Sequence, residues 1–362
     1  MLIVKKIYDS ASGTLEIPSE VLPENGLPFS HHFTSTPGDN LIELCGKICY
    51  DSCQNPKSRA SVDYHKHINE VGHWSTHGHL NITVEFSINK NTDELFEYLT
   101  CFINKPGFHI VITNNDDYTQ NLRVTGNLRA IREWFTFNTE IPKESGKFDY
   151  IGYCLQSWAR LVAPEAIKGA TGSKTLYKYA GSLVTPQDAN EIWASFYIGG
   201  VSRGLTHEQI RHSFQCGISQ RSTRYVDESE SEWAWHPLLQ EQQGALLQRS
   251  REESDTLGDI QYKCQQAYRD TYELLVNTGS DRKAARGAAR GILGNALSTE
   301  LIFSASLAQW KRIILMRSRD EADAEIRLMT NKIFHILQEK WPSHFYNLTS
   351  RPAKDGIGEH IE

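Results

Sequence analysis

Hydrophobic residues near the amino terminus recur at a spacing that predicts two helices and then a strand. Residues 39–53 (DNLIELCGKICYDSC) carry apolar positions at helical intervals after polar residues that can cap a helix, and the pattern resumes up to Gly72. From Leu80 to Ile88, apolar residues alternate with polar or charged ones, as a half-buried strand requires. We expect two helices, a strand, and a chain reversal at 89–92.

The second half of the chain reads as a strand followed by long helices. Residues 195–214 (SFYIGGVSRGLTHEQIRHSF) begin strand-like and turn helical after Thr206, which we expect to cap that helix. Residues 255–277 and 281–340 are charged and helically periodic. The stretch between the two predicted strands is too long for a loop. We therefore predict one domain over 1–362 with an inserted subdomain at 89–195.

Composition excludes several classes of protein. The 362 residues are 39% hydrophobic and 10% aromatic, enough for a large core. A formal net charge of -6 disfavours a general binder of nucleic-acid polymers. Without an apolar run of roughly 20 residues, we expect no membrane span and a cytoplasmic protein. Seven cysteines in a long chain favour reduced thiols over a disulfide framework.

The segment Arg211–Tyr225 (RHSFQCGISQRSTRY) has the chemistry of an anion site. Its arginines offer planar forks that bind phosphate through two hydrogen bonds, and its serines and threonine add short donors. The same composition is also typical of a solvated helix end with surface salt bridges. Taken alone, this segment leaves both interpretations open.

This segment resembles the signature of the flavin-dependent thymidylate synthases, in which Arg-His-Arg is followed by seven residues, then Ser, any residue and Arg. Arg211 and His212 match its first two positions, and Ser222 and Arg224 match its last two. Ser213 replaces the third arginine, and the spacer is one residue longer. The flanking sequences on both sides resemble the family as well.

Three further blocks resemble the family in its order. Residues 72–75 (GHWS) match a block near the flavin, which assigns Ser75 to the cofactor. RKAARGAARGILG matches a helix that contacts the nucleotide through Arg290, with Gly294 in place of the usual proline. The last block assigns Arg317 to the arginine that faces the pyrimidine. The resemblance implies an α+β fold of the flavin-dependent thymidylate synthase type, with a sheet flanked by long helices.

One departure from the family leads to a hypothesis about the insert. The family usually carries Asn-x-Arg ahead of its last arginine to bind flavin, whereas this chain has Ser306 and Ala308 there. The predicted insert contains RVTGNLRAIREWF, in which Asn127 and Arg129 match the missing pair. We hypothesise that the insert supplies the flavin-binding edge. A chance likeness between amphipathic helices is the alternative.

The resemblance implies transfer of a one-carbon unit from methylenetetrahydrofolate to C5 of dUMP, giving dTMP, with NADPH reducing FAD. It also implies a homotetramer. Independently of the resemblance, we expect no resident metal. Arg317 is the expected catalytic residue. The expected substrate-binding residues are Glu208, Arg211, Gln220, Arg221, Ser222, Thr223, Arg224 and Arg290. The expected cofactor-binding residues are Ser75, Asn127, Arg129, Arg211, His212, Ser213 and Arg312.

Three alternatives stay open from the sequence. The product could carry a hydroxymethyl group, or the substrate could be UMP. A homologue that binds nucleotide without flavin chemistry is a second alternative, given the substitutions at Ser213, Ser306 and Ala308. A metal site is the third, because Cys45, Cys49 and Cys53 recur every four residues near several histidines. That spacing matches neither structural zinc nor iron–sulfur ligation and is more typical of small core residues.

Overall fold

Two antiparallel four-stranded sheets form the framework of the computed structural model, which describes residues 1–22, 36–53, 61–90, 107–114, 118–136, 146–168, 181–241 and 256–362, with residues 96, 99 and 102. The strands are β1 (Ile3–Asp9), β2 (Asn81–Asn89), β3 (Phe108–Asn114), β4 (Thr119–Asn127), β5 (Ser182–Leu183), β6 (Trp193–Ser202), β7 (Gly217–Gln220), β8 (Ser298–Ser306), β9 (Ser350–Pro352) and β10 (Glu359–Ile361). The helices are α1 (Pro37–Tyr50), α2 (Ser61–Val71), α3 (Leu128–Thr136), α4 (Gly146–Val162), α5 (Arg203–Gln209), α6 (Pro237–Glu241), α7 (Leu257–Asn277), α8 (Arg282–Ala289), α9 (Leu307–Arg317), α10 (Ala324–Lys340) and α11 (Pro342–Phe345).

The first sheet has the order β1-β6-β8-β7, and its central strands β6 and β8 are almost entirely buried. Helices α9 and α10 contribute apolar residues to the hydrophobic cluster on this sheet, including Trp310 and Phe334. The strand β8 corrects the prediction that 281–340 is continuously helical. A short apolar run buried on both faces, such as Leu301–Phe303, has no alternation that distinguishes a strand from a helix.

The second sheet has the order β3-β4-β2-β5 and lies against α1 and α4 in the other hydrophobic cluster. The predicted strand at 80–88 is confirmed as β2, and the two predicted amino-terminal helices are confirmed as α1 and α2. Lys90 bends away from β2, while 91–92 lie outside the described residues. Because β2 pairs with β4 along its whole length, this sheet joins residues on both sides of position 89. The boundaries of a subdomain at 89–195 stay a prediction.

The cysteines of α1 lie in or beside the core. Cys45 is fully buried, and burial raises the pKa values of the Cys45 and Cys49 thiols. Six cysteines among the described residues are free thiols. Within the described ranges, no three His, Cys, Asp or Glu side chains are grouped as metal ligands. None of the helices that the structure describes is long and apolar enough to cross a membrane.

Candidate functional site

Helix α5 is positioned by the residue at the end of β6. Ser202 caps the helix by accepting a hydrogen bond from the Leu205 amide at 2.9 Å. The Glu325 carboxylate in the first turn of α10 accepts from the Ser202 amide at 2.7 Å and from its hydroxyl at 2.5 Å. The predicted cap at Thr206 is wrong, because Thr206 lies inside the helix and donates its hydroxyl to the Arg203 carbonyl. The strand β6 ends at Ser202, and α5 begins directly after it at Arg203, three residues before the predicted cap.

Arg317, at the end of α9, is held by Glu208 of α5 and by His212, which lies just after that helix. One of its terminal nitrogens donates to the Glu208 carboxylate at 2.7 Å, and its Nε donates to Nε2 of His212 at 2.8 Å. A side-chain amide of Gln309 supports the arrangement by donating to the His212 carbonyl at 3.3 Å. The predicted pyrimidine-facing arginine and two predicted ligand-binding residues therefore lie together.

His212 is a neutral acceptor in this arrangement. Burial lowers the pKa of its imidazole, and the nearby guanidinium groups of Arg317, Arg312 and Arg211 lower it further. A ring that accepts through Nε2 carries its proton on Nδ1. Arg211 and Arg312 are themselves exposed. The surroundings of His212 are therefore positively charged, which suits an anionic ligand.

The segment Arg211–Tyr225 contains β7 and then leaves the first sheet. Gln220 donates from its side chain to Thr206 on α5 at 3.1 Å. The Arg221 guanidinium lies 3.3 Å from Asp51 and 3.6 Å from the buried Glu228. The Ser222 amide donates to the carbonyl of Cys49 at the end of α1. This part of the predicted site is thus fixed to α5, α1 and the sheet.

A second group of cations lies where this segment meets α8. Arg290 donates to the Thr223 hydroxyl at 3.4 Å, and Arg224 passes Gly287 of α8. Arg203, the first residue of α5, is close enough to Arg290 that their charges oppose each other. From Arg203 to Glu208, α5 rises about 8 Å at 1.5 Å per residue. We call Arg203, Arg224 and Arg290 the Arg290 group, and Arg317 with its partners Glu208 and His212 the Arg317 group. One short helix therefore runs from the Arg290 group to the Arg317 group.

A cavity of about 400 Å³ opens beside this site and is lined by four parts of the chain. Such a volume lies within the usual range for small-molecule pockets. Four predicted cofactor-binding residues line it, namely Ser75, Asn127, Arg129 and Ser213. The remaining lining residues are Gly78, Gly107, Ala130, Glu133, Gln215, Cys216 and Ile218. Ser213 directly follows His212, so the cavity adjoins the partner of Arg317.

Asn127 and Arg129 occupy the junction between β4 and α3. The Asn127 Oδ1 caps α3 by accepting from the Ala130 amide at 2.8 Å, which leaves its Nδ2 as a donor. Gly107 has φ +92°, and a Cβ added there would lie 2.8 Å from that Nδ2. Arg129 is exposed and pairs with Glu133 one turn later at 2.7 Å. Glycine is therefore required where the chain passes the amide.

The structure adds residues that sequence reasoning missed. Gln215 and Cys216 line the cavity, Gln309 supports His212, and Glu325 anchors α5. A helix-start pattern at Ser202 could have indicated the true cap. The other contacts join segments far apart in the chain, and no local pattern indicates them.

The glycine that replaces the family proline has a packing reason. A Cβ at Gly294 would lie 3.1 Å from the ring of Trp233, which is tighter than most real contacts. Trp233 forms an isolated bridge with Leu297. The indole thus occupies the space that a larger residue at position 294 would need.

Comparisons with known proteins identify the family of this chain. The family model described as "Thymidylate synthase complementing protein" matches residues 153–343, more than half of the chain. Flavin-dependent thymidylate synthase from Mycobacteroides abscessus is 31% identical over 205 residues, covering 56% of this chain and 78% of the relative. The enzyme of the same name from Mycobacterium leprae is 30% identical over 237 residues, covering 61% and 86%.

A likeness to one solved structure is weaker. Thymidylate synthase X from Helicobacter pylori, crystallised with FAD and dUMP, is 19% identical and has a TM-score of 0.29, covering 43% of this chain and 71% of its own. A score this low supports no argument about fold or ligand. The family model and the curated relatives are enough to show the family. The chain belongs to the flavin-dependent thymidylate synthase family.

Proposed function

We propose that this protein is an active flavin-dependent thymidylate synthase. It transfers a one-carbon unit from methylenetetrahydrofolate to C5 of dUMP, giving dTMP, and uses NADPH to reduce FAD. The observation that carries this proposal is Arg317, held between Glu208 and His212 beside a cavity lined by predicted flavin residues. Arg290 and Thr223, which we propose to bind the phosphate, lie near Arg203 at the other end of α5.

Arg317 has the properties needed to act on the pyrimidine. A guanidinium stays charged at any working pH and can stabilise negative charge that develops on the ring nitrogen and adjacent carbonyl. Its contacts with Glu208 and His212 fix its orientation before substrate arrives. A fixed donor needs little reorganisation during the reaction, which is the source of its catalytic benefit.

The nucleotide phosphate fits the Arg290 group. Arg224 and Arg290 are exposed cations. Arg290 donates to the Thr223 hydroxyl at 3.4 Å, and the Ser222 hydroxyl accepts from the Arg224 amide at 3.4 Å. Arginine and hydroxyl donors are typical ligands of phosphate. Glu208, Arg211, Gln220 and Arg221 complete the proposed nucleotide site, with Gln220 and Arg221 holding the segment in place.

The cavity residues fit FAD. The Asn127 Nδ2, the Arg129 guanidinium and the Ser75 and Ser213 hydroxyls offer donors to the carbonyl and phosphate oxygens of the cofactor. When reduced, FAD supplies the hydride for the transfer. The proposed role of these residues is to bind and orient it. His212, with Arg211 and Arg312 nearby, directly precedes the lining residue Ser213.

The substitution at Ser213 bears on which reaction the protein performs. The family's third arginine is absent here, so this side of the cavity carries one cation fewer than its relatives. A hydroxymethylated product, UMP as substrate, or a catalytically inactive nucleotide-binding protein each remains a distinct outcome of assay. A homotetramer also stays a prediction, and light scattering on the purified protein measures it.

The assay uses purified protein with methylenetetrahydrofolate, FAD and NADPH, and with dUMP or UMP in separate reactions. Product masses are determined by mass spectrometry. We expect NADPH oxidation that depends on dUMP and a product with the mass of dTMP. A hydroxymethyl product, turnover of UMP alone, or no oxidation of NADPH would each contradict the proposed reaction.

A further inference from the structure

The two sheets of the protein share one topology. In the second sheet β2 is followed by the edge strand β3 and then by β4, which lies between them. In the first sheet β6 is followed by the edge strand β7 and then by β8, which again lies between them. All of these pairings are antiparallel. We call β2, β3, β4, α3 and α4 the first repeat, and β6, β7, β8, α9 and α10 the second repeat.

The middle strand of each repeat runs directly into a helix. Asn127 ends β4 and caps α3, and Ser306 ends β8 and caps α9 through the Gln309 amide at 3.2 Å. Opposite these caps lie the first residues of the neighbouring strands, Asn81 and Trp193. Asn127 and Ser306 are therefore equivalent positions. That equivalence is also the one indicated by the displaced Asn-x-Arg pair in the sequence.

The helices that follow agree in length and ending. Helices α4 and α10 each have 17 residues. Each is followed, after one residue, by a proline, Pro164 in the first repeat and Pro342 in the second. Such an agreement along strands, cap, helix length and proline is difficult to explain without a common origin.

Each repeat gives an edge strand to the other. The strand β1, which precedes the first repeat, pairs with β6 of the second. The short strand β5, which precedes the second repeat, pairs with β2 of the first. This reciprocal exchange is the arrangement that two identical units make when they exchange an element.

The repeats differ in what they carry. In the first repeat, β3 and β4 are separated only by residues 115–118. In the second, β7 and β8 are separated by residues 221–297, which contain Arg221, Ser222, Arg224 and Arg290. The helix caps differ in the opposite sense. The first repeat has Asn127 and Arg129 at the positions where the second repeat has Ser306 and Ala308. The nucleotide residues belong to one repeat and the Asn-x-Arg pair to the other.

The cavity lies between the specialised parts of the repeats. Asn127, Arg129 and Glu133 line it from the first repeat, and Gln215 and Ile218 line it from the β7 region of the second. We propose that the chain is a fused pair of repeats that builds one composite site per chain. The Asn-x-Arg pair of the first repeat binds flavin in the cavity between the repeats, and the second repeat binds the nucleotide. This inference rests on the proposed function, because it assigns the flavin to this cavity.

Binding stoichiometry tests the inference. Purified protein is saturated with FAD, and bound flavin is measured by absorbance against chain concentration from amino-acid analysis; dUMP binding is measured by calorimetry. We expect one flavin and one nucleotide per chain. Two flavins per chain would overturn the composite site while leaving the proposed reaction intact. A protein that binds dUMP but no flavin would overturn both.

Single variants assign the two ligands to the two repeats. Arg129→Ala should weaken FAD at least about tenfold, since it removes one charged donor, and leave dUMP binding unchanged. Asn127→Ser keeps an oxygen to cap α3 but removes the amide donor, so it should weaken FAD without unfolding the helix. The matched change Ser306→Ala in the second repeat should leave flavin stoichiometry unchanged. Equal flavin loss in the Ser306 variant would contradict the assignment.

Co-expression distinguishes a site within one chain from a site shared between chains. Chains carrying Arg129→Ala and chains carrying Arg224→Ala are tagged differently, co-expressed and purified through both tags. We expect the mixed assemblies to bind FAD and dUMP together no better than either variant does alone, because each site needs both residues in the same chain. Recovery of tight binding of both ligands, or of activity, would show that sites form between chains and would overturn the inference.

Discussion

At the scale of single residues, the site depends on an arginine whose two neighbours have opposite character. Glu208 is a carboxylate acceptor, while His212 accepts only as a neutral imidazole. Burial and three nearby guanidinium groups keep the pKa of His212 below its ordinary value, so the ring is neutral at neutral pH. The orientation of Arg317 therefore depends on the protonation state of a neighbour.

Replacement of Arg317 by lysine tests the need for a planar, two-sided donor. A lysine keeps the charge but cannot donate to Glu208 and His212 in the same geometry. We expect kcat to fall on the order of 10²-fold, as for the loss of a preorganised donor, with flavin occupancy unchanged. Steady-state kinetics and flavin absorbance measure the two effects. A variant with normal kcat would show that charge alone is enough.

The pH dependence of catalysis should follow His212. Protonation removes the lone pair that accepts from Arg317 and places two cations side by side. Because the pKa of His212 is lowered, we expect kcat/KM to be level near neutral pH and to fall as the pH drops through that lowered value. His212→Gln retains an acceptor that does not titrate, so its acid limb should disappear. An unchanged acid limb in that variant would assign the titration to another group.

At the scale of elements, α5 and α10 are joined at their amino-terminal ends. Glu325 accepts from both the amide and the hydroxyl of Ser202, and Ser202 caps the helix that carries Glu208. Burial raises the pKa of Glu325 above its ordinary value, although its bonds with Ser202 act in the opposite direction. One contact between two helices thus sets the position of a residue in the site.

Loss of the Ser202 hydroxyl should weaken both the fold and substrate binding. Ser202→Ala removes a helix cap, at a cost of roughly 1–2 kcal/mol in the free energy of unfolding. It also loosens α5, so the KM for dUMP should rise. Urea unfolding measures the change in stability, and steady-state kinetics measure the KM for dUMP.

Thr256→Ala is the matched control for that change. Thr256 caps α7 by accepting from the Asp259 amide at 3.0 Å, and it makes no contact with α5 or α10 in its capping bonds. Its loss should cost about 1 kcal/mol of stability and leave KM unchanged. An equal rise of KM in both variants would contradict a specific role of Ser202 in substrate binding.

At the scale of the whole molecule, a buried polar network joins the amino-terminal half to the first sheet. His79 is within 2.7 Å of Ser304 and 2.9 Å of Ser219, and Ser304 donates to Ser195 at 2.6 Å. Burial lowers the pKa of His79 to about 3. His77 is also buried, with a pKa lowered to about 3 mainly by burial. Both rings are neutral in the folded protein.

These two histidines should make the protein sensitive to acid. Below about pH 6.5 the unfolded chain takes up protons at both positions, whereas the folded chain does so only near pH 3. Stability should therefore fall as pH drops across this interval, by about 1.4 kcal/mol per pH unit for each histidine. Urea unfolding of wild-type protein and His79→Asn at several pH values measures this. A slope that does not become shallower in the variant would contradict it.

Local patterns in the sequence indicated the family and the candidate site residues, but not the tertiary contacts between them. The motif from Arg211 to Arg224 and the positions of Arg290 and Arg317 could be recognised because each lies in a short local pattern. The strand β8 was missed because it is buried on both faces, and its pairing partners lie about a hundred residues away in β6. Likewise, only tertiary contacts bring Asn127 into one cavity with Ser213.

The most direct test of the account is a titration of the flavin-loaded protein with dUMP, followed by the absorbance spectrum of the bound flavin. The cavity adjoins His212, and His212 contacts Arg317, so a nucleotide beside Arg317 should perturb the flavin. We predict a spectral change that saturates at one dUMP per chain and that is absent in Arg224→Ala at the same concentrations. Bound flavin with a spectrum indifferent to saturating dUMP would contradict the account.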